Sequence, residues 1–162
     1  IDQHAAHERI NYEKILSNLN QEVISQELLN PIILNLSAEE DVWVQENIDL
    51  FISVGFEIES FGITNQLIIR KLPLQFTKGN LEHKIHNYIS ELKNNSKTSE
   101  DERLKTLACH ASIEFGDSLT QSEIFNLIEE LSLSQEPWTC PHGRPTMIRL
   151  DNQQLYKWFK RI

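Results

Sequence analysis

Side chains of the kinds that bind metal ions are concentrated in two segments near opposite ends of the chain, with one further cysteine between them. These residues are Asp2, His4, Glu8, Cys109, Cys140 and His142. Thiolate and imidazole groups favour zinc, whereas carboxylates favour harder ions such as Mg²⁺ and Mn²⁺. The sequence therefore predicts a metal site that both segments share and that has ligands for both kinds of ion.

The spacing within each segment allows the ligands to act together. If residues 3–18 are helical, His4 and Glu8 lie four residues apart on one face, so both can reach one ion or two adjacent ions. Asp2 then lies at the helix start, where a carboxylate can cap the helix and still present an oxygen outward. The second segment carries its cysteine and histidine on a short loop, which a proline and a turn-forming glycine hold in shape.

Four short motifs follow one another along the chain. They are Asp2-Gln3-His4-Ala5 with Glu8 and Glu13, then Leu107-Ala108-Cys109-His110, then Cys140-Pro141-His142-Gly143-Arg144-Pro145, and finally Phe159-Lys160-Arg161. Together they resemble the motifs of the C-terminal domain of the DNA mismatch repair protein MutL, of the type that nicks DNA. The resemblance extends from one end of the chain to the other. The family usually has arginine where His110 stands.

The resemblance implies an activity and a set of cofactors. The activity is that of a metal-dependent endonuclease that hydrolyses a phosphodiester bond in one strand of duplex DNA. The implied catalytic residues are Asp2, His4, Glu8 and Glu13. Asp2 and Glu8 are expected to hold a catalytic Mn²⁺ or Mg²⁺, and some of the other predicted ligands are expected to hold a structural or regulatory Zn²⁺. ATP is expected to act only through an N-terminal domain outside this sequence.

The resemblance also implies partners, which are duplex DNA, a mismatch-recognition protein, a sliding clamp and a second copy of the chain. Gln26, Leu28, Leu29 and Pro31 resemble the family's short clamp-binding motif. Such an extended peptide anchors through its apolar side chains, while proline limits the entropy that it loses. The alternative is that the two leucines begin a strand that packs into the core.

Several of the implied roles have simpler alternatives. A lone helical cysteine such as Cys109 is more often a small buried hydrophobic residue than a ligand. His7 is one residue away from the face of His4 and Glu8, so it is expected to be exposed to solvent or to support the ligands without contacting the ion, and a ligand role is the alternative. Glu13 lies well round the helix from that face, so a surface ion pair is the alternative to a supporting catalytic role.

Three further residues of the motifs are expected to support the site: Arg144, Phe159 and Arg161. Each guanidinium can orient a phosphate or instead form a salt bridge to a carboxylate of the motifs. The phenyl ring is expected to pack in the final helix.

A second function belongs to another class, a non-catalytic dimerisation and clamp-binding module with a structural zinc. The presence of both Asp2 and Glu8 favours the enzyme, because a closed zinc site with four ligands does not need both carboxylates. An unrelated zinc hydrolase is a third interpretation, but the chain lacks a recognisable motif such as His-Glu-x-x-His.

Composition limits the remaining choices. A chain of 162 residues can bury a core, and it has no stretch near the roughly 20 apolar residues that span a bilayer. Two distant cysteines and no apparent signal peptide favour a reducing cytoplasm without a membrane. The resemblance implies that this cytoplasm is bacterial and that the chain is associated with DNA. The net charge of −9 disfavours strong autonomous DNA binding, so a partner domain or a clamp is expected to hold the DNA. The absence of an initiating methionine suggests a fragment.

The hydrophobic pattern predicts alternating helices and strands, and capping boxes at 37–40 and 120–123 open two of the helices. Cys109 is predicted to lie beside the apolar face of its helix, and Trp158 is predicted to pack in the last helix with Phe159. The predicted helices are 3–19, 37–55, 81–92, 104–115, 120–131 and 151–161, and the predicted strands are 32–34, 56–61, 66–72 and 146–150. The fold class predicted from them is α+β, mixed and two-lobed. Residues 1–29 and 116–162 are expected to form a dimerisation and endonuclease lobe. Residues 30–115 are expected to form an inserted regulatory lobe, built from a β-α-β-β unit and helices.

Overall fold

The computed structural model describes residues 1–19, 24–60, 65–76, 79–95 and 99–161. Along these residues it has seven helices and three strands. In chain order they are α1 (Gln3–Leu19), β1 (Ser25–Asn35), α2 (Ala38–Glu46), α3 (Ile48–Ser53), β2 (Glu57–Ser60), β3 (Gln66–Pro73), α4 (Leu81–Asn94), α5 (Glu100–Ala111), α6 (Gln121–Leu133) and α7 (Asn152–Trp158). The predicted α+β class is confirmed. No described helix is long and apolar enough to cross a membrane.

The three strands form one antiparallel sheet in the order β1-β3-β2. With α2 and α3 between β1 and β2, this is the predicted β-α-β-β unit. The helix predicted over 37–55 is two helices, because the backbone leaves the helical conformation at Asn47 (φ −120°, ψ 22°). The predicted strand 56–61 is confirmed as far as Ser60, and Phe61 lies outside the described residues.

Strand β1 lies at an edge of the sheet and carries a wide bulge. Glu27 pairs with Lys71, and the next pair is Ile32 with Ile69. Residues 28–31 therefore lie opposite a single residue of β3. A bulge of this kind turns part of a strand out of its ladder, and it leaves backbone and side chains available at the sheet edge.

Both predicted capping boxes are present at helix starts. Ser37 and Glu40 open α2, and Thr120 and Glu123 open α6. In each box the hydroxyl accepts the N–H of the third helical residue, and the glutamate accepts the N–H of the capping residue. These caps satisfy donors that a helix start otherwise leaves unpaired.

Helix α5 is shorter than the predicted helix 104–115. It ends at Ala111, because Ser112 has an extended backbone (φ −81°, ψ 164°). Phe115 is therefore not on the apolar face of a helix. It lies in a turn before Gly116, whose φ is +92°, and its side chain is 90% exposed.

The prediction for the C-terminal region is partly wrong. Residues 146–150 do not form the predicted strand, since no strand among the described residues lies beside them to complete a ladder. The final helix covers 152–158, because the chain turns at Lys160 with a φ of +52°. Trp158 and Phe159 are exposed, whereas they were predicted to pack within the chain.

The buried side chains form two separate clusters. The larger one covers the sheet together with α2 to α5, and it is centred on the edge-to-face rings of Phe51, Phe56 and Tyr88. The smaller cluster joins the first half of α1 to α6 through Ala6, Ile10, Leu127 and Leu131. Helix α1 contributes to both. The division of the chain at 29/30 and 115/116 stays a prediction.

Candidate metal centre

Helix α1 begins at the predicted place, and Asp2 caps it. The Oδ1 atom of Asp2 accepts the N–H groups of His4 at 2.9 Å and Ala5 at 3.1 Å. The backbone N–H of Asp2 donates to the carbonyl of Thr146 at 2.8 Å, which ties the start of the chain to the loop that follows residue 140. This contact and the smaller core bring the two predicted ligand segments together.

Five of the six predicted ligands lie close together, in two groups that share one residue. His4, Glu8 and Cys109 form the first group, and Glu8, Cys140 and His142 form the second. Within each group the ligand atoms lie within 4.8 Å of one another. Two ligands of one zinc ion, each about 2.0–2.3 Å from it, are separated by similar distances. The two groups therefore have spacings suited to binding an ion.

Glu8 is the shared residue, and its carboxylate is buried. The residue is 1% exposed, and neither of its carboxylate oxygens accepts a hydrogen bond from a described residue. Its Oε1 atom lies 3.3 Å from His4 Nε2 and 3.5 Å from His142 Nδ1. A buried carboxylate without donors is costly unless a cation faces it. Glu8 therefore requires a positive charge beside it, from a protonated imidazole or from a bound ion.

The Glu8 carboxylate and the titratable groups around it change one another's pKa values. Burial raises the pKa of Glu8, but His4, Cys109 and Cys140 lower it by more, and the resulting pKa is about 2. In turn, Cys109 and Glu8 raise the pKa of His4 to about 11. A proton on His4 therefore balances Glu8 when no ion is bound. An ion that takes this place would release that proton.

His4 is oriented as a metal ligand would be. Its Nδ1 atom donates to the carbonyl of Ile113 at 2.8 Å, if the proton is assigned to that nitrogen. The Nε2 atom is then directed toward Glu8 and toward Cys109 Sγ, which is 4.0 Å away. A backbone carbonyl that accepts the second ring N–H of a histidine fixes the tautomer and the ring plane, as it does in metal sites.

The two cysteines differ in their settings. Cys109 is half-buried near the end of α5, beside the apolar face as predicted, and Cys140 is buried in the loop. Burial raises the pKa of both thiols, and Glu8 raises each of them further. An ion must therefore displace their protons before they can bind it as thiolates.

Residues 140–144 form a tight hairpin loop that presents two ligands. The N–H of Gly143 donates to the carbonyl of Cys140 at 2.9 Å, and the N–H of Cys140 donates to the carbonyl of Arg144 at 2.8 Å. Gly143 has a φ of +82°, which closes a three-residue loop of this type and which other residues rarely adopt. Pro141 restricts the backbone between the two ligands. Cys140 and His142 are thus held on one side of the loop, next to Glu8.

Arg9 holds this loop against α1, and the sequence analysis missed it. The side chain is buried, and its Nε atom donates to the carbonyl of Thr139 at 2.6 Å. Its guanidinium also lies 3.7 Å from Glu13 and 3.3 Å from Glu136. The i,i+4 spacing of Arg9 and Glu13 signals their ion pair, but nothing local in the sequence signals the contact of Arg9 with Thr139.

Glu13 has a structural role in this arrangement. Its carboxylate accepts the backbone N–H groups of Gln135 at 2.8 Å and Glu136 at 3.2 Å, and it also faces Arg9. These contacts hold the backbone at residues 135–136, which leads into the 140–144 loop. The catalytic role implied for Glu13 stays a prediction.

The other predicted site residues lie outside the two groups of candidate ligands. Asp2 is exposed and belongs to neither group of ligands, so its role as a ligand stays a prediction. Arg144 and Arg161 are exposed, and neither forms a salt bridge with a carboxylate among the described residues. Phe159 is exposed as well. His110 contacts Glu91 of α4 at 2.8 Å, which joins α4 and α5 at the place where the family usually has arginine.

The predicted clamp-binding residues occupy the bulged part of β1 and the residues just before it. Leu29 is 97% exposed at the sheet edge, and Pro31 is exposed beside it. Leu28 is partly buried against the larger core, and Gln26 donates to the carbonyl of Phe76 at 2.7 Å. The alternative in which both leucines pack into the core is therefore true of Leu28 only.

Comparison with known proteins gives a consistent result. The family model of the MutL C-terminal dimerisation domain matches residues 1–119. DNA mismatch repair protein MutL from Clostridium botulinum (strain Langeland) is 42% identical over 168 residues, which cover 100% of this chain and 25% of that protein. MutL from Carboxydothermus hydrogenoformans is 38% identical over 163 residues, covering 99% of this chain and 28% of that protein. The chain thus spans about a quarter of the length of these relatives.

Proposed function

The chain belongs to the family of MutL C-terminal dimerisation domains, and we propose that it is the metal-dependent nicking endonuclease domain of a mismatch repair protein. It would hydrolyse a phosphodiester bond in one strand of duplex DNA. The observation that carries the proposal is the buried carboxylate of Glu8, which accepts no hydrogen bond from a described residue and is shared by two groups of candidate ligands. A carboxylate common to two such groups suits a centre that binds more than one ion.

The donor atoms determine which ion each residue would hold. The thiols of Cys109 and Cys140, with the imidazoles of His4 and His142, suit zinc in a structural or regulatory role. Glu8, together with Asp2 at the rim, would hold Mn²⁺ or Mg²⁺. Such an ion, when bound, polarises the phosphate and lowers the pKa of an attacking water.

The residues of the chain itself would position the substrate. Arg144 is exposed on the ligand loop, where a guanidinium can orient a phosphate next to the centre. Its lack of a salt bridge with any described carboxylate favours this role over that of an internal ion pair. Arg161 is exposed too, but it lies beyond α7, and the structure gives it no link to the centre.

The acidic charge of the chain makes partners necessary. With a net charge of −9 the domain would be repelled by duplex DNA, so other positively charged elements would have to hold the substrate. The exposed bulge with Leu29 and Pro31 fits a docking peptide for the sliding clamp. The mismatch-recognition protein and ATP would act through other parts of the full-length protein.

A second copy of the chain is the remaining proposed partner. Three apolar side chains of α6, Ile124, Phe125 and Ile128, are exposed beside the smaller core to which this helix contributes Leu127 and Leu131. Trp158 and Phe159 are exposed as well, and Phe159 is the first residue of the last motif. Exposed apolar surface of this extent is typical of an interface, and the family description names dimerisation.

A non-catalytic zinc module remains the second candidate. The observation that favours it is that two cysteines and two histidines surround Glu8, whereas Asp2 stands apart. Such a set of donors could complete a structural zinc site without any catalytic ion.

One comparison of variants separates the two functions. In the full-length protein with clamp and Mn²⁺, we expect Asp2→Asn to abolish nicking of supercoiled plasmid while zinc content stays normal. Asparagine also caps helices, so α1 should be retained. Asp151→Asn is the matched control, since Asp151 caps α7 in the same way. Equal nicking by both variants would exclude Asp2 from the site, and zinc-loaded wild type without any nicking would favour the second candidate.

A further inference from the structure

We propose that Lys84 is a positioning residue of the metal centre. From the opposite side of the fold, Lys84 holds the segment that orients His4. This inference rests on the metal centre of the proposed function. Lys84 belongs to α4, in the predicted regulatory lobe, and it lies outside all the motifs discussed above. Its role would be exerted through the backbone of residues 112–113.

The setting of Lys84 is unusual for a lysine. The residue is 4% exposed, and its Nζ atom donates to the carbonyl of Ser112 at 2.7 Å. Its hydrocarbon stem is enclosed, since a Cβ atom at Gly79 would lie only 3.1 Å from Lys84 Cε. Burying an ammonium group is costly, and burial lowers the pKa of Lys84, although Glu114 and Asp117 oppose that shift. Such a group needs a partner, and the described structure supplies that carbonyl.

The carbonyl that Lys84 binds belongs to a peptide unit that is held at both of its polar ends. The carbonyl end, on Ser112, accepts from Lys84. The N–H end, on Ile113, donates to His7 Nδ1 at 3.1 Å. The orientation of this peptide plane is therefore fixed from α4 on one side and from α1 on the other.

The next carbonyl along the chain is the one that orients His4. The oxygen of Ile113 accepts from His4 Nδ1 at 2.8 Å. The Ser112 hydroxyl adds two contacts, accepting from Asn11 at 3.1 Å and donating to the carbonyl of Ala108 at 2.6 Å. Cys109 precedes this segment by three residues. One short stretch thus connects a histidine ligand, a cysteine ligand and Lys84.

Loss of the Lys84 contact would free one end of the peptide unit. The carbonyl of Ser112 would then lack its donor and could rotate, which would shift the Ile113 carbonyl and the ring of His4. Partners that orient a metal-bound histidine typically change metal affinity by about 10–100-fold when they are removed. Lys84 acts one step further away, and we expect the lower end of this range.

The effect on folding should differ from the effect on the metal. Methionine has a similar length and removes the buried charge, but it leaves the carbonyl of Ser112 without its donor. The metal-free Lys84→Met protein should therefore unfold at a somewhat lower temperature than the wild type. A lysine that served only to stabilise the fold would show this loss of stability with unchanged zinc affinity and an unchanged Co²⁺ spectrum.

The test compares Lys84→Met with Lys93→Met in the full-length protein. Lys93 lies on the same helix and is half-buried, but it pairs with Glu39 of α2 rather than with the 112–113 segment. Zinc affinity is measured by competition with a chromophoric chelator, and ligand geometry by the absorption bands of bound Co²⁺. We expect Lys84→Met to bind zinc about 10-fold more weakly and with an altered Co²⁺ spectrum, and Lys93→Met to match the wild type.

Each result decides between the alternatives. Equal zinc affinities and identical Co²⁺ spectra for the two variants would overturn the role of Lys84 and leave the metal centre intact. Wild-type protein that binds neither ion would instead overturn the proposed function. If Lys84→Met does not fold, Lys84→Gln is measured against the same control, and an unchanged affinity in that variant would equally overturn the proposal.

Discussion

At the scale of single residues, the centre depends on how one buried negative charge is compensated. Glu8 is enclosed, and its nearest cationic group without an ion is the ring of His4. The same carboxylate raises the pKa of both cysteines. The metal-free state therefore holds its protons on the groups that a metal ion needs deprotonated. Binding of an ion at this site would therefore be coupled to the release of protons.

Arg9 is the residue on which the geometry of the ligand loop depends most directly. We expect Arg9→Met to lower the free energy of unfolding by about 1–3 kcal/mol, since the carbonyl of Thr139 loses its donor and the buried Glu13 contact is removed. Zinc affinity should fall too, because Cys140 follows Thr139 directly. Urea unfolding in the presence of a chelator, and zinc competition, measure the two effects.

Lys14→Met provides the control for Arg9. Lys14 is on the same helix and pairs with Glu130 at 2.8 Å, but both side chains are well exposed. Exposed pairs of this kind contribute about 0–1 kcal/mol. If the two variants lost stability and zinc affinity to the same small extent, the anchoring role of Arg9 would be wrong.

At the scale of elements, local sequence signals predicted the helices whose formation depends on nearby residues. The capping boxes at Ser37 and Thr120 and the apolar periodicity of α4 predicted those helices, because each depends on residues within a few positions. The strand predicted at 146–150 failed for the opposite reason, since a strand requires a neighbour that the local sequence does not specify.

Five of the six candidate ligands identified in the sequence lie close together, but their arrangement could not be predicted. His4 and Glu8 follow from helical spacing, and the loop of Cys140 and His142 follows from its proline and glycine. Glu8 is the residue that both groups share. This depends on how α1, α5 and residues 140–144 pack against one another. The contact by which Arg9 anchors the loop depends on the same packing, which is why this role could not be seen in the sequence.

The bulge of β1 gives a sharper test of clamp binding than the motif alone. We expect Leu29→Ala to abolish stimulation of nicking by the clamp, with basal nicking and thermal stability unchanged, because this side chain is 97% exposed and supports no core. Substituting Gln26 or Leu28 would also disturb the Phe76 contact or the larger core. Stimulation and melting temperature are measured on the full-length protein.

Ile52→Ala is the matched control for Leu29, since Ile52 is an exposed aliphatic residue on α3 and lies outside the motif. It should leave clamp stimulation unchanged. Normal stimulation of the Leu29→Ala variant would remove the clamp assignment from this bulge.

At the scale of the whole molecule, acidic charge and exposed apolar surface point to assembly. The chain carries 24 acidic and 15 basic side chains, so electrostatic attraction cannot bring it to DNA by itself. Its smaller core holds only four fully buried side chains among the described residues. A second copy that covers the outer face of α6 would enlarge this core, and it would stabilise the helix that carries His4 and Glu8.

Dimerisation through α6 is therefore the last prediction. The wild-type chain should sediment at about twice its mass of 18.9 kDa at micromolar concentration. The double variant Ile124→Asp with Ile128→Asp should sediment as a monomer, because two buried carboxylates without partners would disrupt an apolar interface. Val42→Asp with Ile52→Asp is the control, as both residues are exposed and lie on α2 and α3. Dimers that persist in the α6 variant would show that another surface joins the two copies. A monomer with weakened zinc binding would show that the second copy also stabilises the metal centre, since α1 packs directly on α6 through Ala6 and Ile10.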